Sequence, residues 1–99
     1  MKAVFSKEAL AEFNGAKAYY ALKSAELEEA FADSVRQGLR LVLAQPASGR
    51  IEFEDVRRVI LKRFPYKLLY IIEVDHLLVV AVAHQRRQPE YWLNRVTNK

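Results

Sequence analysis

The stretch RRVILKRFPYKLLYIIEVDHLLVVAVAHQRRQPEYWLNR, residues 57–95, decides the fold of this chain. It contains two apolar runs, Leu68–Ile72 and Leu77–Ala83, which are rich in residues that favour strands and far too short to span a membrane. Asp75-His76 is typical of a tight turn between the two runs, and Pro65 interrupts the pattern before the first. The stretch therefore predicts an antiparallel meander of three strands, at residues 56–63, 66–74 and 77–84.

The sequence before the meander carries mainly helical signals. Residues Lys2–Phe5 predict a short strand, and Ser6 follows at the position of a helix N-cap. The spacing of apolar residues then predicts an amphipathic helix over residues 7–22. Ser24 predicts the cap of a second helix, which Pro46 ends. We expect these two helices to form a hairpin.

The remaining segments connect or end these elements. Residues 45–55, QPASGRIEFED, carry loop signals. Pro89 suits the first turn of a short C-terminal helix, predicted over Glu90–Val96. The order of elements predicts a single α+β domain over residues 1–99, with helices on one face of a small sheet.

Composition limits the possible functions. A hydrophobic content of 52% is sufficient for a core in 99 residues. The absence of cysteine excludes disulfides and thiolate metal sites, and His76 and His84 alone are too few for a histidine zinc site. We therefore expect neither a metal nor a cofactor. The first ten residues lack the apolar core of a signal peptide, which predicts a cytoplasmic protein without a membrane partner.

The net charge of +4 is distributed unevenly along the chain. The first half is nearly balanced, and the excess of basic residues lies after Gly49. Such asymmetry favours an acidic partner, whether a nucleic acid, a ribosome or an acidic protein segment. A solvated basic face would explain the charge equally well.

Three motifs carry a resemblance to a known family. They are RFPY at residues 63–66, LY at residues 69–70, and the segment Ala81–Trp92. In content and order they resemble the RelE/ParE superfamily of toxins from type II toxin–antitoxin modules, also called plasmid stabilisation proteins. The ending HxxRxPxYW, residues 84–92, is closer to the ParE branch. The resemblance implies a RelE/ParE-like fold and a bacterial protein that arrests growth unless a cognate antitoxin binds it.

The two branches of the superfamily act on different targets. ParE-type toxins poison DNA gyrase, whereas RelE-type toxins enter the ribosomal A site and cleave messenger RNA. Cleavage by 2′-hydroxyl attack needs groups that accept and donate protons, and cations for the developing charge. The candidates for a nuclease are Arg63, as the phosphate-contacting residue of RelE-like enzymes, His84, as acid or base, and Arg87.

The nuclease set is incomplete, which favours a binding function. Gln85–Arg87 stand where RelE-like nucleases often carry a catalytic tyrosine or a His-Tyr pair. The sequence therefore favours a toxin that poisons DNA gyrase without a chemical step. The alternative is a ribosome-dependent mRNA endoribonuclease, and a third possibility is a fold that has lost toxicity and only binds its partner.

Basic and aromatic residues of the meander and its ending form the expected target-binding surface. The set is Arg58, Lys62, Arg63, His84, Arg86, Arg87, Tyr91, Trp92 and Arg95. Each also has a simpler structural role. His84 could be a structural histidine that bonds to a backbone carbonyl, and Arg87 could form an ion pair with Glu73 or Glu90. Tyr91 and Trp92 could pack into the core at the open end of the sheet.

Overall fold

The computed structural model describes residues 1–97, which form one five-stranded sheet with two long helices and a short C-terminal helix. The strands are β1 Lys2–Phe5, β2 Arg50–Phe53, β3 Val56–Ile60, β4 Tyr66–Ile72 and β5 His76–His84. The helices are α1 Lys7–Ala21, α2 Ala25–Ala44 and α3 Asn94–Thr97.

The strands lie in the order β1-β5-β4-β3-β2. β1 pairs with β5 in parallel, and the other neighbours are antiparallel. The predicted α+β class, with its N-terminal strand, helical hairpin, antiparallel meander and C-terminal helix, is confirmed. β5 begins at His76, so the tight turn lies just before the position predicted for it.

The prediction of a loop over residues 45–55 is wrong for Arg50–Phe53, which adds a fourth strand to the meander. The buried hydroxyl of Tyr70 fixes the approach to this strand. It accepts a hydrogen bond from the Gly49 N–H at 3.1 Å and donates one to the Pro46 carbonyl at 2.7 Å. Because Tyr70 is distant in sequence, local signals did not predict β2.

The two long helices begin at the predicted caps. The Ser6 hydroxyl accepts a hydrogen bond from the Ala9 N–H at 3.1 Å, and the Ser24 hydroxyl accepts one from the Leu27 N–H at 3.0 Å. Each serine thereby satisfies a backbone donor that the helix leaves unpaired. Within residues 1–97, no helix combines the length and the apolar character needed to cross a bilayer.

An aromatic cluster joins the helical hairpin to the sheet. The buried ring of Phe31 on α2 lies 5.2–5.9 Å, between centroids, from four other aromatic rings. These rings belong to Phe13, Tyr20, Phe64 and Tyr66. Since two come from α1, one from the β3–β4 turn and one from the start of β4, the cluster holds the hairpin on this face of the sheet.

The opposite face of the sheet is covered by the chain after β5. We call residues 85–97 the C-terminal segment. Its Trp92 side chain is 1% exposed and packs with buried residues of the sheet, including Leu69 and Ile71. The helix predicted over Glu90–Val96 is wrong at its start, because Glu90 has a left-handed φ of 60° and residues before Asn94 form turns.

A bulge in β5 allows its apolar residues to serve both faces of the sheet. Leu69 pairs with Ala81 and Tyr70 with Val79, so Val80 is an extra residue in the ladder. Val79 and Val82 consequently face the helices, whereas Val80 packs with the C-terminal segment. A strict two-residue alternation would not have placed these side chains correctly.

The predicted strand 56–63 ends early, at Ile60. Arg63 therefore lies in the turn between β3 and β4 and not on a strand. The Ser34 hydroxyl of α2 donates a hydrogen bond to the Lys62 carbonyl at 2.7 Å, and this contact anchors the turn to the helix.

Candidate functional site

A groove of about 270 Å³ opens where the ends of β3, β4 and β5 meet the C-terminal segment. We call it the C-terminal groove. Its main side chains are Arg58, Ile60, Lys67, His84, Arg87 and Tyr91. Three cationic groups, an imidazole and one exposed carboxylate, that of Glu90, line this depression, so its net charge is positive and its chemistry suits an anionic or hydrogen-bonding surface.

His84 ends β5 and lies half-buried in this groove. Its Nδ1 accepts a hydrogen bond from the Arg86 N–H at 3.0 Å, and its ring meets Tyr66 edge-on with centroids 4.9 Å apart. In this geometry a proton-transfer role would fall to Nε2. No hydrogen bond joins this ring to a carboxylate among residues 1–97, so the imidazole lacks the usual orienting acid.

Glu52 on β2 binds two of the cationic side chains of the groove. Its carboxylate lies 2.6 Å from Lys67 Nζ and 3.1 Å from Arg58 Nη1. Burial opposes ionisation of Glu52, but the hydrogen bonds and the charges of Lys67 and Arg58 outweigh it and hold its pKa below the ordinary value. This wall of the groove is therefore less basic than its lysine and arginine suggest.

Glu12 on α1 is the centre of a hydrogen-bond network behind the groove. Its carboxylate accepts hydrogen bonds from the Val82 N–H at 3.0 Å and the Tyr91 hydroxyl at 2.6 Å. It also receives a bidentate pair from Arg95, with both distances 3.0 Å. Arg87 Nη1 lies 3.9 Å from the same carboxylate, so the ion pair of Arg87 is with Glu12 and the predicted partners, Glu73 and Glu90, are wrong.

The Glu12 network closes an open edge of the sheet. β1 pairs with β5 only as far as Val79, so the rest of β5 has no strand on the side away from β4. There the Glu12 carboxylate accepts a hydrogen bond from the Val82 N–H, and the Arg95 guanidinium donates one to the Val80 carbonyl at 3.0 Å. Side chains thus satisfy backbone groups that would otherwise invite another strand.

The same network shifts three ionisation equilibria. Burial opposes ionisation of Glu12, but its hydrogen bonds from Arg95, Tyr91 and the Val82 N–H hold its pKa below the ordinary value. Burial, followed by the hydrogen bond to Glu12, raises the pKa of Tyr91 far above its ordinary range. The hydrogen bond to Glu12 also raises the pKa of Arg95. Tyr91 is therefore a neutral donor and not a candidate base.

Tyr91 also holds the arginine at the mouth of the groove. The Arg87 guanidinium carbon lies 3.9 Å from the centroid of the Tyr91 ring, and that of Arg95 lies 5.1 Å from it. Such contacts favour a fixed orientation of a planar guanidinium over an aromatic face. Arg87 nevertheless remains exposed, so its charge is presented to solvent.

The structure brings together part of the predicted target-binding surface. Arg58, His84, Arg87 and Tyr91 line the C-terminal groove, and Arg86 is exposed beside it. Lys62 and Arg63 lie apart from them, where the β3–β4 turn meets α2. The candidate nuclease residues Arg63, His84 and Arg87 therefore do not line one cavity.

Trp92 and Arg95, which belong to the predicted target-binding surface, face inward. Trp92 is 1% exposed and is packed against the sheet, although it also lines the C-terminal groove. The Arg95 guanidinium is held by Glu12 and by the Val80 carbonyl. Both residues support the groove from within.

Arg63 has an unusual backbone conformation. Its φ of 75° lies in the left-handed region, which costs a non-glycine residue about 1 kcal/mol or more. The anchored Lys62 carbonyl and the following Phe64, buried in the aromatic cluster, hold this turn in place. An exposed arginine is thus kept where glycine would be less strained.

Sequence reasoning missed Glu12 and Lys67, and it placed Glu52 in a loop. Glu12 is three residues after Ala9 and four before Ala16, so it shares the face of α1 that packs on the sheet, and this spacing was a usable signal. Glu52 lies between the apolar residues Ile51 and Phe53, and this alternation was a weaker signal for a strand. Lys67 had no distinguishing local signal.

The arrangement defines a class of protein: a small, basic α+β protein with a cationic groove and an imidazole that, within residues 1–97, has no hydrogen bond to a carboxylate. Within the described residues, no group of three or more histidine, aspartate or glutamate side chains is placed to hold a metal ion.

Comparison with known proteins identifies the family. Residues 3–89 match the family described as "ParE toxin of type II toxin-antitoxin system, parDE", and the chain belongs to that family. No curated protein matches the chain. A solved structure described as "Chromosomal ParDE TA system from P. aeruginosa" is similar, with a TM-score of 0.70 and 21% identity over 85% of this chain and 95% of that chain. At that identity, the likeness supports the fold.

Proposed function

We propose that this protein is the toxin of a bacterial type II module, that it acts as one domain in the cytoplasm, and that it arrests growth by binding DNA gyrase. A cognate antitoxin neutralises it. Membership of the ParE toxin family supports the toxin class, and the ParDE system named for the similar structure supports an antitoxin partner. Gyrase is the target that the ParE-like ending at residues 84–92 favours.

The observation that carries this proposal is the cationic C-terminal groove. Arg87 is exposed at its mouth and is oriented by Tyr91 and Glu12. Fixed cationic groups at the surface give electrostatic complementarity and speed association with an acidic partner. A binding function needs this complementarity and shape, and it does not need a paired acid and base.

One observation favours the alternative of a ribosome-dependent mRNA endoribonuclease. His84 shares the groove with Lys67 and Arg87, so an imidazole lies among cations that suit a phosphate. A nuclease would use His84 as acid or base, with no contribution from Tyr91, whose hydroxyl stays protonated in its contact with Glu12.

The deciding experiment compares both targets with the same purified protein. We expect inhibition of supercoiling when the protein is added to gyrase, relaxed plasmid and ATP, and no cleavage of messages on ribosomes mapped by primer extension. Arg87→Gln should weaken the gyrase effect. Arg36→Gln is the matched control, because Arg36 is an exposed arginine on α2 that pairs with Glu29 and lies outside the C-terminal groove.

His84→Gln separates the two candidate functions directly. A nuclease that uses His84 should lose about a hundredfold or more in cleavage rate. A gyrase poison should keep most of its effect, provided that circular dichroism shows an unchanged fold. Message cleavage that this substitution abolishes would reverse the preference for gyrase.

A further inference from the structure

The turn that follows β5 fixes the position of the His84 side chain. The Arg87 N–H donates a hydrogen bond to the His84 carbonyl at 3.0 Å, and the Gln85 N–H donates one to the Pro65 carbonyl at 2.8 Å. The second of these bonds ties the turn after β5 to the β3–β4 turn. The His84 ring also meets the half-buried Tyr66 ring edge-on. The imidazole therefore has a defined place in the C-terminal groove.

The hydrogen bond at Nδ1 decides which ring nitrogen of His84 carries the proton. The Arg86 N–H lies 3.0 Å from His84 Nδ1, and a backbone N–H can only donate. His84 Nδ1 must therefore present its lone pair to this N–H. In a neutral imidazole one nitrogen accepts and the other carries hydrogen, so the proton of His84 lies on Nε2.

The Nε2–H group of His84 is available to an acceptor outside the protein. Within residues 1–97, the His84 side chain forms its hydrogen bond through Nδ1 alone. The same part of the chain has no buried side-chain nitrogen or oxygen that lacks a partner. Since Nε2 has no partner there, it must be accessible to solvent. The half-buried ring thus directs one donor into the open part of the groove.

The charges around this donor indicate which acceptor it suits. Arg58, Lys67 and Arg87 line the groove and outnumber the lining carboxylate of Glu90. A carboxylate of a partner would be attracted by the excess of positive charge and would also accept the hydrogen bond. The backbone of a nucleic acid carries its charges in a row and needs a continuous track of cations. Glu52 and Glu90 interrupt such a track, so a carboxylate fits better.

We infer that His84 is a fixed hydrogen-bond donor, which recognises a carboxylate of the protein target through Nε2–H. Taking the target to be a protein rests on the proposed function. The same geometry disfavours a proton-transfer role. A general base needs its lone pair on the nitrogen that faces the substrate, and in His84 the lone pair lies on Nδ1 and is occupied by the Arg86 N–H. An imidazolium acid would need a second proton on Nδ1, which would displace that N–H.

Nitrogen NMR of the full-length protein tests the tautomer, and the other histidine of the chain is the internal control. His76 Nδ1 lies 2.7 Å from the Asp75 carboxylate, which accepts, so neutral His76 carries its proton on Nδ1. Long-range proton–nitrogen correlation at about pH 8.5, where an ordinary imidazole is neutral, distinguishes the two nitrogens of each ring. We expect opposite patterns, with the proton on Nε2 in His84 and on Nδ1 in His76. The variant His76→Gln assigns the signals.

Two substitutions of His84 separate its donor from the rest of the ring. The asparagine oxygen of His84→Asn can accept from the Arg86 N–H, but the side chain is too short to replace Nε2. The longer amide of His84→Gln can place an N–H near the Nε2 position. The amount of protein needed for half-maximal growth arrest, measured by quantitative immunoblotting, should rise about tenfold in His84→Asn and no more than about threefold in His84→Gln. His76→Gln is the matched control and should change it less than about twofold.

Growth arrest does not depend on which target is bound, so the outcomes separate this inference from the choice of gyrase. A proton on Nδ1 of His84 overturns the inference even where a variant fails to fold. Equal effects of His84→Asn and His84→Gln overturn it whatever the gyrase assay shows. A shift of the His84 Nε2 signal on addition of a short DNA duplex overturns it in favour of a phosphate. The expected order of the two variants supports it even where supercoiling is unaffected, in which case gyrase fails alone.

Discussion

Two strands of the sheet, β5 and β3, are each covered by an edge strand over only part of their length. The side chains that lie beside the uncovered parts differ. β1 stops beside Val79, and the rest of β5 is closed by Glu12 and Arg95. β2 stops beside Arg58, and the rest of β3 is left open under α2. The two edges are alike in backbone chemistry, so the difference lies in the side chains that neighbouring elements supply.

The edge of β5 is closed by side chains of the protein itself, whereas the edge of β3 is accessible to solvent. Closing β5 uses an ion pair between α1 and the C-terminal segment, and this pair also orients Tyr91 and Arg87 at the C-terminal groove. Leaving β3 open exposes Ile60 and Leu41 to solvent. Proteins usually blunt such an edge, so β3 is the less protected of the two edges.

The largest effect is expected where the C-terminal segment is packed most deeply. Trp92→Ala should lower the free energy of unfolding by about 3–5 kcal/mol, because a buried indole is lost and a cavity remains. Urea unfolding followed by circular dichroism measures it. A loss below about 1 kcal/mol would mean that the segment contributes little to the core and that the β5 edge is not stably closed.

The closed edge can be opened by a single substitution. Glu12→Ala should cost about 2–4 kcal/mol, since Arg95 and the Val82 N–H lose their partner in a largely buried site. Hydrogen exchange should show faster exchange of the Val82 amide, with the Leu68 amide on β4 as the internal control. Unchanged protection of Val82 would show that another group closes the edge.

Acid should open the same edge without a substitution. The folded pKa of Glu12 lies below its ordinary value of 4.5, as does that of Glu52. The unfolded chain then binds more protons in this range, so the stabilisation is complete above about pH 4.5 and is lost as pH falls through the folded pKa values. Thermal unfolding between pH 3 and 7 tests this, and Glu12→Gln should flatten the slope.

The smallest effect is expected at the open edge. Ile60→Lys should change the free energy of unfolding by no more than about 0.5 kcal/mol, because Ile60 is more than half exposed. The same urea series used for Trp92→Ala provides the comparison. A large destabilisation would show that Ile60 is part of the core, and the contrast between the two edges would then be invalid.

The sequence predicted elements whose signals are local. Ser6 and Ser24 cap the helices as expected, because a cap depends on a backbone donor three residues away. The paired strands β4 and β5 follow from β-favouring runs separated by a short turn. The resemblance of the ending at residues 84–92 then indicated the ParE branch, which the family match confirms.

Elements whose causes are distant in sequence were missed or misplaced. β2 depends on the Tyr70 hydroxyl, which binds Gly49 and Pro46 from another strand. The bulge at Val80 changes which side chains face the helices, and no local pattern in an apolar run specifies it. The C-terminal helix begins late, because packing of Trp92 determines the path of the preceding turns.

By itself, the sequence determined the α+β class, the caps, the paired strands and the family, since each of these depends on neighbours along the chain or on a recognisable motif. The tertiary structure alone decided that Arg63 lies apart from His84, that Trp92 is core, and that one strand edge is closed while another is open. The physical reason is that Glu12 meets Val82, Tyr91 and Arg95 only after the chain has folded back across the sheet.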